Sequence, residues 1–211
     1  MILPPYKGST LRGGFGSAFR QVVCVVRNGE CGTCILKGKC VYSYVFETPP
    51  PAGTKVMRKY EAAPHPFVIE PPEGHKQIYE PGEQLRFNLI LIGRAIDYLP
   101  YFIYTFDQLG ARGIGKGRAR FHLQSVQSEG VTIYDGESKT LRSFRITLLP
   151  LEDSSGDGNS PATMRISFVT ATRIVYATQL TLDLEFHTFI RNLLRRASLL
   201  SYFHCDGDPS G

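Results

Sequence analysis

Four cysteines confined to residues 24–40 narrow what this chain can fold into more than any other feature. Cys24, Cys31, Cys34 and Cys40 follow the spacing C-x6-C-x2-C-x5-C. The central C-x-x-C places two thiolates where they can chelate one ion. Gly29, Gly32 and Gly38 permit the turns of such a knuckle, and Lys37 and Lys39 offset the charge of four thiolates. The opening Met1-Ile2-Leu3-Pro4-Pro5 lacks a basic stretch followed by an apolar one, so no secretory signal is visible and a cytoplasmic location is expected. In that compartment a disulfide is less favoured than a metal. A structural Zn2+ held by all four cysteines is therefore the leading reading. Reduced thiols or an oxidised pair are the alternatives, and an iron–sulfur cluster is a weaker one. A site closed by four cysteines leaves no position for catalysis. Cys205, alone near the end, reads as incidental.

Around this knot the chain reads as mixed α and β. Ser9 to Val23 has helical spacing, with Leu11, Phe15, Ala18, Phe19 and Val22 on one face and Ser9 or Thr10 as the cap. Gly13, Gly14 and Gly16 are costly in a helix and point to close approach of another backbone or to tight packing. Residues 47–66 form a proline-rich connector, and residues 67–70 a short strand. Leu85, Phe87, Leu89 and Leu91 alternate as a strand over 85–92. A helix over 94–109 buries Ile96, Leu99, Ile103 and Phe106, is interrupted or delayed by Pro100, and stops at Gly110. Strands follow over 118–127, 131–134 and 141–149, the last two as a hairpin. Residues 151–163 have linker composition. A strand over 165–174 precedes a helix over 184–202 with a core stripe of Phe186, Phe189, Ile190, Leu193, Ala197 and Leu200.

Composition excludes several classes. With 42% hydrophobic residues, 13 Phe and 11 Tyr in 211 residues, the chain is not disordered. No apolar run reaches the roughly 20 residues that span a bilayer, so no membrane partner is expected. The net charge of +5 permits an anionic partner without demanding one.

Locally the charge is concentrated. Between Leu109 and Phe121, Gly110, Gly113, Gly115 and Gly117 alternate with Arg112, Lys116, Arg118 and Arg120, and no acidic residue intervenes. Glycine-loop amides can crowd an anion, and alternating cations neutralise phosphates. The loop lacks the G-x-x-x-x-G-K-[ST] pattern of mononucleotide binders, and its helix-then-strand order is the reverse of a dinucleotide fingerprint. RNA is the better-matched partner, since a basic loop follows its backbone without reading bases, and a solvated basic turn is the alternative.

Three blocks together resemble one family. Tyr6-Lys7-Gly8-Ser9-Thr10-Leu11-Arg12-Gly13-Gly14-Phe15-Gly16 is similar to the opening motif of the endoribonucleases that process CRISPR precursor RNA, members of the RAMP superfamily. The cysteine knot followed by Tyr44-Val45-Phe46-Glu47-Thr48-Pro49, and then Pro64-His65-Pro66-Phe67-Val68-Ile69-Glu70-Pro71-Pro72, match the next blocks in order. The stretch 110–120 and Ile166–Thr170 complete the likeness, which covers about residues 3–200.

The resemblance implies an α+β, ferredoxin-like (RRM-like) RAMP domain over 1–150 with the cysteine knuckle as an insertion. The linker 151–163 then leads to the start of a second such domain over 164–211. The opening strand is missing or reduced to 1–6, and the remainder of the second domain would lie beyond this chain. The implied chemistry is metal-independent cleavage of RNA within CRISPR repeats, as part of antiviral defence, by attack of a 2′-hydroxyl that leaves a 2′,3′-cyclic phosphate. The family does not place its general base at one fixed position. His65 is the first candidate and His122 the second. Lys7 is a candidate catalytic cation, and Arg12 joins the glycine-loop residues in RNA binding. Partners are repeat RNA and other CRISPR-associated proteins. A non-catalytic RAMP subunit that binds guide RNA, and a zinc-stabilised interaction module, are the alternatives.

Overall fold

The spacing of Leu11, Phe15, Ala18 and Phe19 is realised as helix α1 (Gly8–Val23), with those four residues buried and Val22 half-buried. This is a computed structural model; it describes residues 1–27, 29–50, 63–144, 163, 165–170, 172–176, 179–182 and 184–205. The helix starts one residue earlier than expected. Lys7 stands at the cap with no side-chain bond to the first turn, because Ser9 and Thr10 already lie inside that turn.

Strands β1 (Phe67–Glu70) and β2 (Asn88–Leu91) pair antiparallel, Phe67 opposite Leu91 and Glu70 opposite Asn88. The expected strand over 85–92 is shortened because β1 offers only four residues to pair with. Leu85, Phe87, Leu89 and Leu91 still pack against the core. At the chain start, Ile2 bridges antiparallel to Ile78 on one side and to Lys116 on the other. Within residues 1–6 the β pairing is confined to this bridge at Ile2.

Pro100 delays the next helix. A 3-10 turn occupies Gly93–Tyr98, and α2 runs Leu99–Arg112 with proline in its first turn, where a missing N–H has no helical partner to lose. α2 does not stop at Gly110, which is buried mid-helix. The Phe121 N–H donates to the Gly110 carbonyl at 3.1 Å, and a Cβ there would run into the Phe121 carbonyl. The stop is Gly113, with φ 86°, in the left-handed half of the map.

α1 and α2 meet on an aromatic core of Phe15, Phe19, Phe67, Phe102 and Phe106, joined by Leu3, Leu11, Val45, Leu109 and Ile114. A second cluster, Leu99 and Ile103 with Ile133 and Tyr134, fastens an antiparallel meander to α2. The meander consists of β3 (Ser125–Ser128), β4 (Val131–Asp135) and β5 (Thr140–Leu141), in the order β3-β4-β5. The strand expected from Arg118 starts later, because residues 114–119 close on themselves. β4 pairs with β3 as well as β5, and β5 is shorter than the expected 141–149, of which 145–150 lie outside the described residues.

Beyond the linker, of which 151–162 lie outside the described residues, the expected strand over 165–174 forms no ladder among the described residues, and Arg165–Thr170 are exposed. A two-residue hairpin, β6 (Val175–Tyr176) with β7 (Gln179–Leu180), takes its place. Helix α3 (Phe186–His204) buries Thr188, Leu199, Phe203 and His204. The expected core stripe is corrected: Phe186 is 71% and Leu193 49% exposed. Its last turns pack with Ala63, and Phe189, half-buried, meets the Phe168 ring at 5.9 Å, while Phe186, Leu193 and Ala197 stay exposed. The whole is mixed α+β with small antiparallel sheets. No described helix is long and apolar enough to cross a membrane.

Candidate nucleic-acid interface

The glycine-rich segment folds as a tight hairpin. Ile114 and Ala119 exchange two backbone bonds at 3.0 and 3.1 Å, and the Arg118 N–H closes the tip onto Gly115 at 3.2 Å. Gly113, Gly115 and Gly117 all have φ between 74° and 86°, conformations that other residues reach only with strain. The Lys116 N–H donates to the Ile2 carbonyl at 3.3 Å and pins the hairpin to the chain start. One expectation is corrected here. The amides of Gly113, Ile114, Lys116, Arg118 and Ala119 are engaged within the protein, so they do not form an open anion cradle. The glycines shape the turn, and the cations are left to meet a ligand.

Those cations are available. Arg112, Lys116, Arg118 and Arg120 are exposed, and none pairs with a carboxylate among the described residues. Arg112, Gly113 and Arg118 line a groove of about 230 Å³ between α1 and the end of α2, with Gly14, Ser17, Ala18, Gln21 and Leu109 on its other sides. Ser17 and Gln21 were not singled out from sequence. Their signal is the spacing Gly14, Ser17, Ala18, Gln21, a small and polar strip along one edge of α1. Gly14 lets the Leu109 and Ile114 side chains come close, and Gly16 lies under Phe46, so these glycines admit side chains rather than a second backbone; Gly13 faces open space.

The candidate catalytic residues are placed differently. His65 is half-buried, and its Nδ1 sits 3.2 Å from the Val45 carbonyl. A carbonyl only accepts, so Nδ1 carries the hydrogen and Nε2 keeps its lone pair. Burial holds the His65 pKa below its ordinary value, and the Arg12 and Arg196 charges push the same way against the Val45 bond. His65 and Arg12 thus share one electrostatic neighbourhood. His122 is exposed, in an irregular stretch ahead of β3 rather than on a strand. Lys7 is 1% exposed, and its Nζ donates to the Pro5 carbonyl at 3.0 Å. His65, His122 and Lys7 do not line the α1–α2 groove.

Cys24, Cys31, Cys34 and Cys40, all free thiols, line one small cavity together with Gly29, Lys37, Tyr42 and Ser43. Cys24 caps the end of α1, and Cys31 opens a 3-10 turn whose next element begins after Cys34. Burial pushes the Cys31 thiol up; the Arg20 charge opposes this, while Glu47, Cys24 and Cys40 add to it. As placed, no three potential ligands among the described residues are drawn in far enough to hold an ion.

Residues 1–146 match the family model AF_1859_N, an N-terminal domain. Over 138 residues the chain is 28% identical to an uncharacterized protein of Archaeoglobus fulgidus, a match covering 64% of this chain and 45% of that protein. The chain thus spans less than half the length of this relative. No solved structure matches it. The groove, the hairpin and the thiol cavity all fall inside the matched residues.

Proposed function

This chain belongs to the AF_1859_N family, and from that premise we propose that it binds RNA along the α1–α2 groove, as a CRISPR-associated protein that acts on repeat transcripts in the cytoplasm. The observation that carries the reading is the set of four exposed cations, Arg112, Lys116, Arg118 and Arg120, at the end of α2 and along the segment after it, none paired with a carboxylate among the described residues, beside a groove of about 230 Å³. Phosphate contacts of this kind supply affinity and position, not sequence choice. The motif likeness of residues 6–16, 44–49 and 64–72 supplies the CRISPR assignment. The order of bridge, helix, two strands, helix and three-stranded meander agrees with a ferredoxin-like RAMP domain over the first 150 residues, while the second such domain, beginning near 164, rests on the motif likeness alone.

The catalytic version of this reading needs no metal. His65 Nε2 takes the proton of the attacking 2′-hydroxyl, Arg12 steadies the phosphorane, and His122 and Lys7 are the remaining candidates for proton transfer and charge. The neutral His65 ring favours a base role. One observation favours a second reading, a non-catalytic RAMP subunit holding guide RNA: the candidate acid–base residues line a different part of the surface from the groove. Other CRISPR-associated proteins are the proposed protein partners.

Labelled repeat RNA incubated with the protein in EDTA separates the readings. Site-specific cleavage ending in a cyclic phosphate, lost in His65→Ala, establishes the nuclease. Salt-sensitive binding without cleavage establishes the subunit. Absence of binding at low salt removes both.

A further inference from the structure

We propose that Cys24, Cys31, Cys34 and Cys40 take one zinc ion as a closed tetrathiolate site, stapling the end of α1 to the turns over 31–40. The four thiols already face one cavity of about 20 Å³, room for a single ion or water. An independent observation points to a ligand there. Among the described residues, two buried side-chain polar atoms lack a hydrogen-bond partner, Ser43 Oγ and Arg20 Nε. Ser43 is 2% exposed and lines this cavity. Arg20 acts on Cys31 and anchors the loop by donating from Nη2 to the Gly29 carbonyl at 2.8 Å. Leaving such groups unpaired is costly. A metal-bound thiolate is a strong acceptor for a hydroxyl, so zinc would offer Ser43 Oγ, on the wall of this cavity, the partner it lacks.

Charge agrees. Four thiolates and Zn2+ leave two negative charges, which Lys37 on the cavity wall and Arg20 behind it are placed to balance. Sulfur ligation at about 2.3 Å selects zinc among common divalent ions. Because the cysteines are not drawn in as placed, binding has to pull the 24–40 segment together, and the ion orders this part of the fold. The proposal does not rest on RNA binding.

Elemental analysis of the whole chain, purified from zinc-supplemented medium, is expected to give about one zinc per chain. Replacement by Co2+ should produce thiolate-to-cobalt charge-transfer absorption and tetrahedral visible bands. Cys34→Ser should lose the charge-transfer intensity of one ligand, and Ser43→Ala should keep the stoichiometry while weakening zinc about tenfold or more. If the cysteine variant does not fold, the cobalt spectrum of the unaltered chain still decides. Thiols that all react freely with a disulfide reagent in excess zinc would overturn the site, as would iron with sulfide in place of zinc, or a disulfide between these cysteines.

Discussion

Phe15 is where the two main helices meet. Its ring lies 4.7–5.9 Å from those of Phe19, Phe46, Phe67, Phe102 and Phe106, and it is fully buried. Phe15→Ala would remove one face from each of these contacts and leave a cavity that rings of this size cannot collapse into. The expected loss is about 3–5 kcal/mol of stability, measured by chemical denaturation, and Phe15→Leu should lose much less. This residue was legible in the sequence, because helical spacing alone sets it on the inner face of α1. The glycines beside it were only half legible. Spacing shows that Gly14 and Gly16 face a close neighbour, but which side chain fills the gap depends on residues 109, 114 and 46, far along the chain. Lys7 shows the opposite failure. The motif likeness makes it a candidate catalytic cation, whereas its side chain is buried and its ammonium donates to the carbonyl two residues earlier.

At the scale of elements, α1, α2, β1, β2 and β4 were legible because each has a long enough period or a clear breaker. α3 was legible as a helix but not as to its buried face. Its apolar stripe is real in sequence, yet burial follows contact, and apart from Thr188 the buried positions, Leu199, Phe203 and His204, lie near its end. His204 is the fastening. Its Nε2 donates to the Pro64 carbonyl at 2.8 Å, and its Nδ1 lies 3.2 Å from the Tyr44 hydroxyl. Tyr44, pushed up to about 12 chiefly by burial, keeps its proton and donates it. Arg94 lies over the Tyr44 ring and donates to the Phe203 carbonyl at 2.9 Å. Burial first, and the Arg94 charge after it, hold the His204 pKa below its ordinary value against the Pro64 bond. The docked helix therefore prefers the neutral ring, while a released helix takes the proton more readily. Docking is complete above the ordinary histidine range near 6.5 and weakens as pH falls below it toward the lowered value. The protection factors of the α3 amides, the intrinsic rate at each pH divided by the observed one, should fall between about pH 7 and 5. His204→Gln, which keeps a donor and cannot titrate, should flatten that dependence. Protection factors in α3 that ignore pH over this range would sink the account.

For the whole molecule, the net charge of +5 says little, while its placement says much. If RNA lies along the groove, exchanging both Arg112 and Arg118 for Gln should lower the slope of log affinity against log salt by about 1.4, or 0.7 for each phosphate contact to a single strand. The same charge removed at Arg165 and Arg173, exposed and outside the matched residues, should leave the slope nearly unchanged. Equal effects from both pairs would mean that bulk charge, not the groove, attracts the nucleic acid. The groove was legible only on its basic side. Arginines interleaved with glycines are visible in one stretch of sequence, whereas Ser17 and Gln21 enter through the packing of α1 beside α2, which no local pattern records. The thiol cavity was legible in its cysteines for the opposite reason, since all four stand within residues 24–40. Its buried hydroxyl, Ser43, was not.

The hairpin between α2 and β3 bonds its backbone to itself and to Ile2 before any ligand arrives. A loop that had to be ordered by its partner would surrender part of the contact energy as lost conformational freedom. This one has its shape already, so the cations at its tip are held as a rigid template. If a polyanion binds there, its affinity rests on how fast it is drawn in and how long it stays, with no folding of the hairpin between encounter and complex.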